Sequence, residues 1–495
     1  MITLFWVINR RRTATILPMW LTVLSAILGI ITFLPLNPYP VVFVFLVPLF
    51  IFFLREKKFW RLITGAFLFR LIFLCGTVYF TLEPILWTEV ILIFLGLPVS
   101  IFLFKKFVNK TDSFLQTLIF LPFAWTFFDL LQAQFSLIPT YIITAGNALG
   151  SSPFLGLASV GGFITLTFFV ALINILIAAA ILQRKNRKNV LILVSAVIVL
   201  LLSGWQISNY ELRKNAGAYA NLPNSIGIAV ISANGSFSAS QFWQLKQELS
   251  ASHNDLVVFP EDIFNQLASF HFSANNFPLL GNGSTLEFQN LAKELRTNII
   301  ASYDTVQNLP AQADAKKYGS VILFDAQGNV VGIHNKNRLT FIGEYWPFGN
   351  WHPSFYKWLR TQDSSIGTYA IFDQKNADTP GERNLLSTTL QNPVSFAAPI
   401  CLEIQYPYDL EEYRANGARF IINQSSNRWT GSGLNHFLYL TDNLKKIEAV
   451  WLKLPIVSSG VNDFAGVILP DGQMHLIDYQ TSDKNYNVFF GTVRY

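Results

Sequence analysis

Three polar side chains fall where apolar, β-branched runs stop. Glu261 closes Leu256-Val257-Val258-Phe259-Pro260, Lys336 follows the run Val330-Val331-Gly332-Ile333-His334, and Cys401 follows Ala398-Pro399-Ile400. A thiol attacks an acyl carbon only as thiolate, so it needs a base or a cationic neighbour near neutral pH. A carboxylate can take the proton, and an ammonium can steady both the thiolate and the oxyanion formed on attack. Glu, Lys and Cys are therefore a sufficient set for acyl transfer. Taken singly, each has a plainer use: a turn residue after Pro260, a solvated lysine after a hairpin, a core cysteine. The thiol stands out because the chain has 2 cysteines and the other, Cys75, lies inside an apolar run of the first half, out of its reach.

Strand ends are where a sheet can aim side chains from distant sequence into one place. From Ser225 onward, short β-branched runs alternate with amphipathic segments. The pattern predicts strands at 226–231, 256–259, 299–303, 321–324, 330–334, 394–400, 419–422 and 456–459. It predicts helices at 241–249, 286–295, 408–415 and about 443–453. Ala326-Gln327-Gly328-Asn329 and Pro470-Asp471-Gly472 read as hairpin turns. Residues 225–495, without Gly/Pro-rich separators, suit one α/β domain, and 207–224 reads as a polar linker.

The first 206 residues have a different character. The whole chain is 52% hydrophobic and 13% charged, and its charge-poor stretches are concentrated here. Seven apolar runs, 14–36, 39–54, 62–82, 87–104, 114–131, 158–182 and 190–206, approach the roughly 20 residues a helix needs to span a bilayer. The second is the weakest, being short and carrying Pro40 and Pro48. Arg10-Arg11-Arg12, then Arg55, Lys57, Lys58 and Arg61, then Lys105, Lys106 and Lys110, then Arg184, Lys185, Arg187 and Lys188 occupy alternate loops. By the positive-inside tendency the N-terminus is cytoplasmic and everything after Gln206 lies outside. Removing the second run would put basic loops on opposite sides, so the alternation supports keeping it. Arg213-Lys214 runs mildly against this orientation. A cleaved signal peptide fits poorly, because the first run is long and six more follow.

The net charge of +6 hides a split. The first 206 residues carry 15 basic and 5 acidic side chains, and the rest 21 and 25. The basic excess thus belongs to membrane-flanking loops rather than to a nucleic-acid surface. Arg70 and Asp129 fall inside apolar runs, where ionisable groups are costly unless paired or facing a polar cavity. A structural ion pair and a headgroup or substrate contact are both open to them. Residues 132–157 are uncharged and rich in small and aromatic side chains, suited to interfacial packing or to lining an access route from the bilayer.

The polar blocks have a joint resemblance. Phe259-Pro260-Glu261, His334-Asn335-Lys336-Asn337-Arg338-Leu339 with Gly343-Glu344 behind it, and Ile400-Cys401-Leu402-Glu403 resemble, in order, the signature blocks of the nitrilase (carbon–nitrogen hydrolase) superfamily. Preceded by a polytopic half, they are similar to its membrane branch, the apolipoprotein N-acyltransferases of bacterial cytoplasmic membranes. Pro35 to Pro40, Trp125 with Asp129, Asn147 to Gly162, Asn234, and Trp429-Thr430-Gly431 with His436-Phe437 fit the same pattern. The resemblance implies an extracytoplasmic four-layer αββα domain after about seven spans, with no cofactor or metal. It implies Cys401 as the nucleophile that takes an acyl chain from a phospholipid and passes it to the α-amino group of a lipoprotein's N-terminal diacylglyceryl-cysteine. Glu261 would be the general base and Lys336 the oxyanion partner, with Glu344 and Glu403 orienting or tuning them.

The chain also departs from that pattern. Ser425-Ser426-Asn427-Arg428-Trp429 replaces a Ser-Asn-Asp block, Gly76-Thr77-Val78-Tyr79 lacks an expected Trp, and Leu130-Leu131 follows Asp129 where more polar residues are usual. No apolar run follows the α/β region, where the family commonly has one more span. A membrane-tethered amidase using water as acceptor, and a silent lipid or lipoprotein binder, are the alternative expectations.

Overall fold

The computed structural model describes residues 17–36, 38–79, 95–108, 114–136, 139–235, 237–261, 270–273, 276–280, 283–307, 316–340, 344, 379–477 and 484–495. Arg10-Arg11-Arg12, Lys110, Gly343 and the first part of the fourth apolar run, 87–94, lie outside these residues. By internal contacts the chain forms two compact units, Met1–Lys214 with Thr430–Trp451, and Asn215–Trp429 with Leu452–Tyr495.

The first unit is helical: Leu17–Thr32, Val47–Arg55, Phe59–Thr77, Gly96–Val108, Phe114–Phe135, Ala158–Leu182 and Arg187–Ala220, joined by the late helix Leu434–Leu452. Among the described residues, four helices are long and apolar enough to cross a membrane: Phe59–Thr77, Gln116–Phe135, Leu155–Leu182 and Arg187–Ala220. The second apolar run is not one helix. It breaks between a 3₁₀ turn, Tyr39–Phe43, and the helix Val47–Arg55, each carrying a proline in its first turn. A break in an apolar setting leaves backbone groups that must find partners inside the protein. Asn174, fully buried in Ala158–Leu182, supplies them: its Oδ1 accepts the Leu46 N–H at 2.9 Å and its Nδ2 donates to Val42 O at 2.8 Å. Asn174→Leu orphans both groups, so the detergent-solubilised protein is expected to lose about 2 kcal/mol of stability. An unchanged melting midpoint would count against this role.

Arg70 and Asp129 are both buried and lie within electrostatic range of each other. Asp129 also accepts the Ala145 N–H at 3.0 Å, which anchors the uncharged loop that follows. That loop folds as buried 3₁₀ turns at Tyr141–Ile143, Asn147–Leu149 and Leu155–Leu157, and it forms a seat for Leu434–Leu452. Asn147 Nδ2 donates to Leu440 O at 3.0 Å, Ser151 bonds Asn443 at 2.5 Å, and Lys446 Nζ reaches Ser151 Oγ at 2.9 Å. Gly162 has φ +56, and a Cβ there would stand 2.6 Å from the Trp451 ring. Only glycine meets both demands. Gly162→Ala is therefore expected to lower the melting midpoint by several degrees, with Gly217→Ala, which has open space around it, as the matched control.

The second unit is the α/β domain. The stretch 207–224, read as a polar linker, is helical as far as Ala220: Arg187–Ala220 is one helix, since residues 207–216 hold no Gly or Pro and Glu211 pairs with Lys214 one turn on. Its last turns belong to this unit, where Asn215 Nδ2 donates to Pro470 O at 3.0 Å and Tyr219 OH accepts the Arg494 N–H at 3.0 Å.

Strand β1 (Ser225–Ala233) lies between parallel β2 (Leu256–Val258) and antiparallel β14 (Tyr486–Arg494), which pairs with all nine of its residues. Parallel pairing continues from β2 to β5 (Asn298–Gln307), then antiparallel to β6 (Lys316–Phe324) and β7 (Val330–Asn335). On the other side β10 (Ile421–Ser426) runs parallel to β11 (Ile456–Val461), and β11 pairs antiparallel with β12 (Ala465–Ile468), which turns through Pro470-Asp471-Gly472 into β13 (Met474–Ile477). Short β3 (Phe270–Ser273) and β4 (Asn276–Leu280) lie beyond β5, and β8 (Leu386–Ser387) pairs with β9 (Ser395–Phe396).

Alternation divides the core in two. Ala229, Ile231, Val257, Phe259 and Ile299 pack with Leu245, Leu249, Phe288 and Leu291 of the helices Ala239–Ser250 and Gly283–Leu295. Ile228, Val230, Val258 and Ile300 face Phe396, Ala398, Ile400 and Phe420. One prediction needs correcting: residues 394–400 are not a continuous strand. After β9 the segment makes isolated bridges at Ala397 and Ile400, because Pro399 offers no N–H to a ladder.

Candidate active site

Cys401 opens a 3₁₀ turn, Cys401–Gln405, with φ +49. For a non-glycine residue that left-handed conformation costs about 1–2 kcal/mol, so the surroundings must hold it. Glu403 does so from one side. Its Oε2 accepts the Ile400 N–H at 2.8 Å and His334 Nε2 at 3.2 Å, while Oε1 accepts the N–H groups of Asn337 at 2.6 Å and Arg338 at 3.1 Å. The carboxylate thus fastens the cysteine turn to the end of β7. Burial works against its charge, but the His334 and Ile400 hydrogen bonds hold its pKa below the usual range.

Lys336 leaves β7 just after Asn335, tied by its N–H to Gly319 O and by its carbonyl to the Gly381 N–H, both at 2.8 Å. Its side chain is 1% exposed. Nζ lies 2.5 Å from Glu344 Oε1 and 4.0 Å from Glu261 Oε1. Burial alone would neutralise this amine. Glu344 foremost, and Glu261, overcome that and hold its pKa well above the ordinary lysine value, so it is an ammonium. Glu344 is aimed by a hydrogen bond from the Thr340 N–H to its Oε2, at 2.6 Å.

Glu261 follows β2 through Pro260. Gln424 of β10 fixes the approach by donating to Phe259 O, and Phe259 N–H donates to Ile300 O at 3.0 Å. The thiol sits in a mixed field. Burial above all, and then Glu261, push its pKa up, against Lys336 and the Ser426 N–H. It rests as a thiol, with a carboxylate at hand to take its proton when attack begins.

The structure therefore places Glu261, Lys336, Glu344 and Cys401 within one another's fields, and Glu403 behind the cysteine turn. Sequence reasoning did not single out His334, Asn423 or Gln424. His334 alone had a signal, since it precedes Lys336 by two residues in a strand and so shares its face. Among the described residues no group of three His, Cys, Asp or Glu is arranged to hold a metal ion. A cavity of about 280 Å³ lined by Tyr219, Leu469, His475, Phe489 and Arg494 includes none of the site residues.

Residues 227–443 match the family model of the carbon-nitrogen hydrolases, and residues 25–176 match that of the apolipoprotein N-acyltransferase N-terminal domain. In its first part the chain is thus similar to the apolipoprotein N-acyltransferases, and in its second to the carbon-nitrogen hydrolases. Apolipoprotein N-acyltransferase 1 of Treponema pallidum is 24% identical over 44% of this chain and 39% of its own length. The chain thus aligns with about two-fifths of that relative. Apolipoprotein N-acyltransferase of Haemophilus influenzae is 22% identical over 90% of this chain and 84% of its own. A crystal structure of a branch 10 member of the nitrilase superfamily from Saccharomyces cerevisiae covers 55% of this chain and 91% of its own, at 16% identity and a TM-score of 0.38.

Proposed function

We propose that the protein is a phospholipid-dependent N-acyltransferase that moves an acyl chain through a Cys401 thioester to the α-amino group of a lipoprotein's diacylglyceryl-cysteine. The observation that carries this reading is the cluster of buried Lys336 with half-buried Glu261, Glu344 and Cys401, on a chain whose other unit matches the acyltransferase N-terminal family. In the first half-reaction Glu261 takes the Sγ proton as sulfur attacks the ester carbonyl, and the Lys336 ammonium stabilises the oxyanion. Collapse breaks the ester C–O bond, and the proton on Glu261 passes to the departing lysophospholipid oxygen. In the second, Glu261 takes a proton from the attacking amine, the amide C–N bond forms, and the thiolate leaves and is reprotonated.

Both substrates carry acyl chains, and each methylene kept out of water is worth about 0.8 kcal/mol. That supports a membrane unit of about seven spans with a four-layer αββα domain on the extracytoplasmic side of the cytoplasmic membrane. Glu344 and Glu403 act as orienting groups, one on Lys336 and one on the Cys401 turn.

The experiment is a mass measurement. Purified protein incubated with phospholipid should gain one fatty acyl group, removable by hydroxylamine and missing in Cys401→Ala. Hydrolysis of small amides without any acyl adduct would replace this reading with an amidase. Neither reaction would leave a lipid binder.

A further inference from the structure

The Cys401 turn is held from a second side by a residue the mechanism above does not use. Asn423 lies in β10 and is 1% exposed. Its strand runs parallel to residues 397–400, bridged at Ala397 to Ile421 and at Ile400 to Gln424. Its Nδ2 donates to Pro399 O at 3.1 Å and to Cys401 O at 3.3 Å. One amide thus grips the backbone carbonyls two residues before the nucleophile and at the nucleophile itself.

Two consequences follow from peptide geometry. The Cys401 carbonyl cannot swing as the residue relaxes out of its left-handed conformation, φ +49, without breaking the Asn423 bond. The peptide from Cys401 to Leu402 is planar and trans, so its C=O and N–H point opposite ways. Fixing the carbonyl on Asn423 therefore also fixes the Leu402 N–H on the far side. Glu403 cannot do this, because it holds the Ile400 N–H, on the other side of the preceding residue.

We propose that Asn423 is a positioning residue for the nucleophile, keeping Cys401 left-handed so that its sulfur stays by the Ser426 N–H and in the field of Lys336 and Glu261. The two residues that follow give the strand its other duties: Gln424 holds the Phe259 carbonyl before Glu261, and Ser425 bonds Asp463. β10 therefore braces the nucleophile and the carboxylate from adjacent positions. The substrate half of the test rests on the acyltransferase reading, and the thiol half does not.

The test uses full-length protein in detergent, in a Cys75→Ser background, with Asn423→Leu, which keeps the volume and removes the donor, and Asn423→Asp. Two rates are measured per folded molecule: alkylation of Cys401 by iodoacetamide, and single-turnover acylation from mixed micelles of phosphatidylethanolamine and phosphatidylglycerol. Asn423→Leu should slow both by about 10- to 100-fold, the scale of a small misplacement of a reacting group, with little change in the micelle concentration giving half-maximal rate. Asn423→Asp should gain on Asn423→Leu as pH falls, since its neutral acid donates to a carbonyl while its carboxylate repels both. Alkylation of Asn423→Leu at the wild-type rate overturns the assignment. Slowed alkylation, in a protein that takes no acyl group from micelles even as wild type, leaves the positioning role standing and removes the acyltransferase reading instead.

Discussion

Replacing Lys336 with methionine is expected to reduce acyl-enzyme formation by at least about 1,000-fold while the Cys401 thiol remains present and titratable with reagents. The reason is electrostatic. The buried ammonium faces Glu344, Glu261 and the thiol, so its loss removes the proposed oxyanion partner where low polarity makes such a partner most effective. The substitution also leaves two carboxylates without their counter-ion, and breaking a buried pair from one side commonly costs about 3–5 kcal/mol. A lowered melting midpoint is therefore expected with the lost activity. Adding Glu344→Gln to Lys336→Met should restore part of the stability, because the nearer of the two stranded charges is gone, and none of the activity. Single-turnover acylation and thermal melts of wild type, Lys336→Met, Glu344→Gln and the double variant check this. A double variant that recovers acylation would mean that Lys336 serves the fold and not the reaction.

The second large effect concerns Glu261. Because burial pushes the thiol pKa above its usual value, a thiolate is scarce at neutral pH unless a base accepts the proton during attack. Glu261→Gln preserves the shape of the side chain and removes that base, so acylation should fall by about 100- to 10,000-fold. The sign of the pH dependence follows from the same shift. Without Glu261 the rate should track the thiolate fraction, rising about tenfold per pH unit with no plateau up to about pH 9, since burial holds the thiol above the ordinary cysteine range. Wild type should level off as soon as Glu261 is ionised. A Glu261→Gln variant with the wild-type profile would assign the proton transfer to another group, and Glu344 is the next carboxylate on Lys336.

Much of this site was legible from residue types. Glu261, Lys336 and Cys401 each end an apolar run, and a sheet brings strand ends together whatever separates them in sequence. Glu344 and Glu403 were legible only through the resemblance, since a lone acidic residue in a loop has no periodicity to betray it. The left-handed Cys401 was not legible at all. Residues 394–400 read as one strand because Val394, Phe396, Ala398 and Ile400 alternate, and nothing in that alternation signals that Pro399 ends the ladder and Glu403 folds the chain back.

The same division runs through the membrane half. Apolar runs 114–131, 158–182 and 190–206 lie in helices, as do residues 62–77 of the third run, because hydrophobic length is encoded locally. The second run was the weakest in sequence on account of Pro40 and Pro48, and its break is held by Asn174, 128 residues from Leu46. No reading of either segment alone would pair them. The polar stretch after Gln206 read as a linker because amphipathic length was missing there, yet the helix continues to Ala220, where Asn215 and Tyr219 find partners in β-sheet loops and edges far along the chain.

By itself, then, the sequence located most of the helices and strands, showed which half is apolar, and singled out three side chains whose types suit acyl chemistry. Those properties depend on composition and spacing over a few turns or a few strand residues. Tertiary structure decided which partner each buried polar group takes: Asn174 for a broken helix, Asn147 and Ser151 for the late helix Leu434–Leu452, Glu403 and Asn423 for the cysteine turn. A hydrogen-bonding side chain is satisfied by whatever group the fold brings within about 3 Å, and that choice is made only when segments hundreds of residues apart have packed.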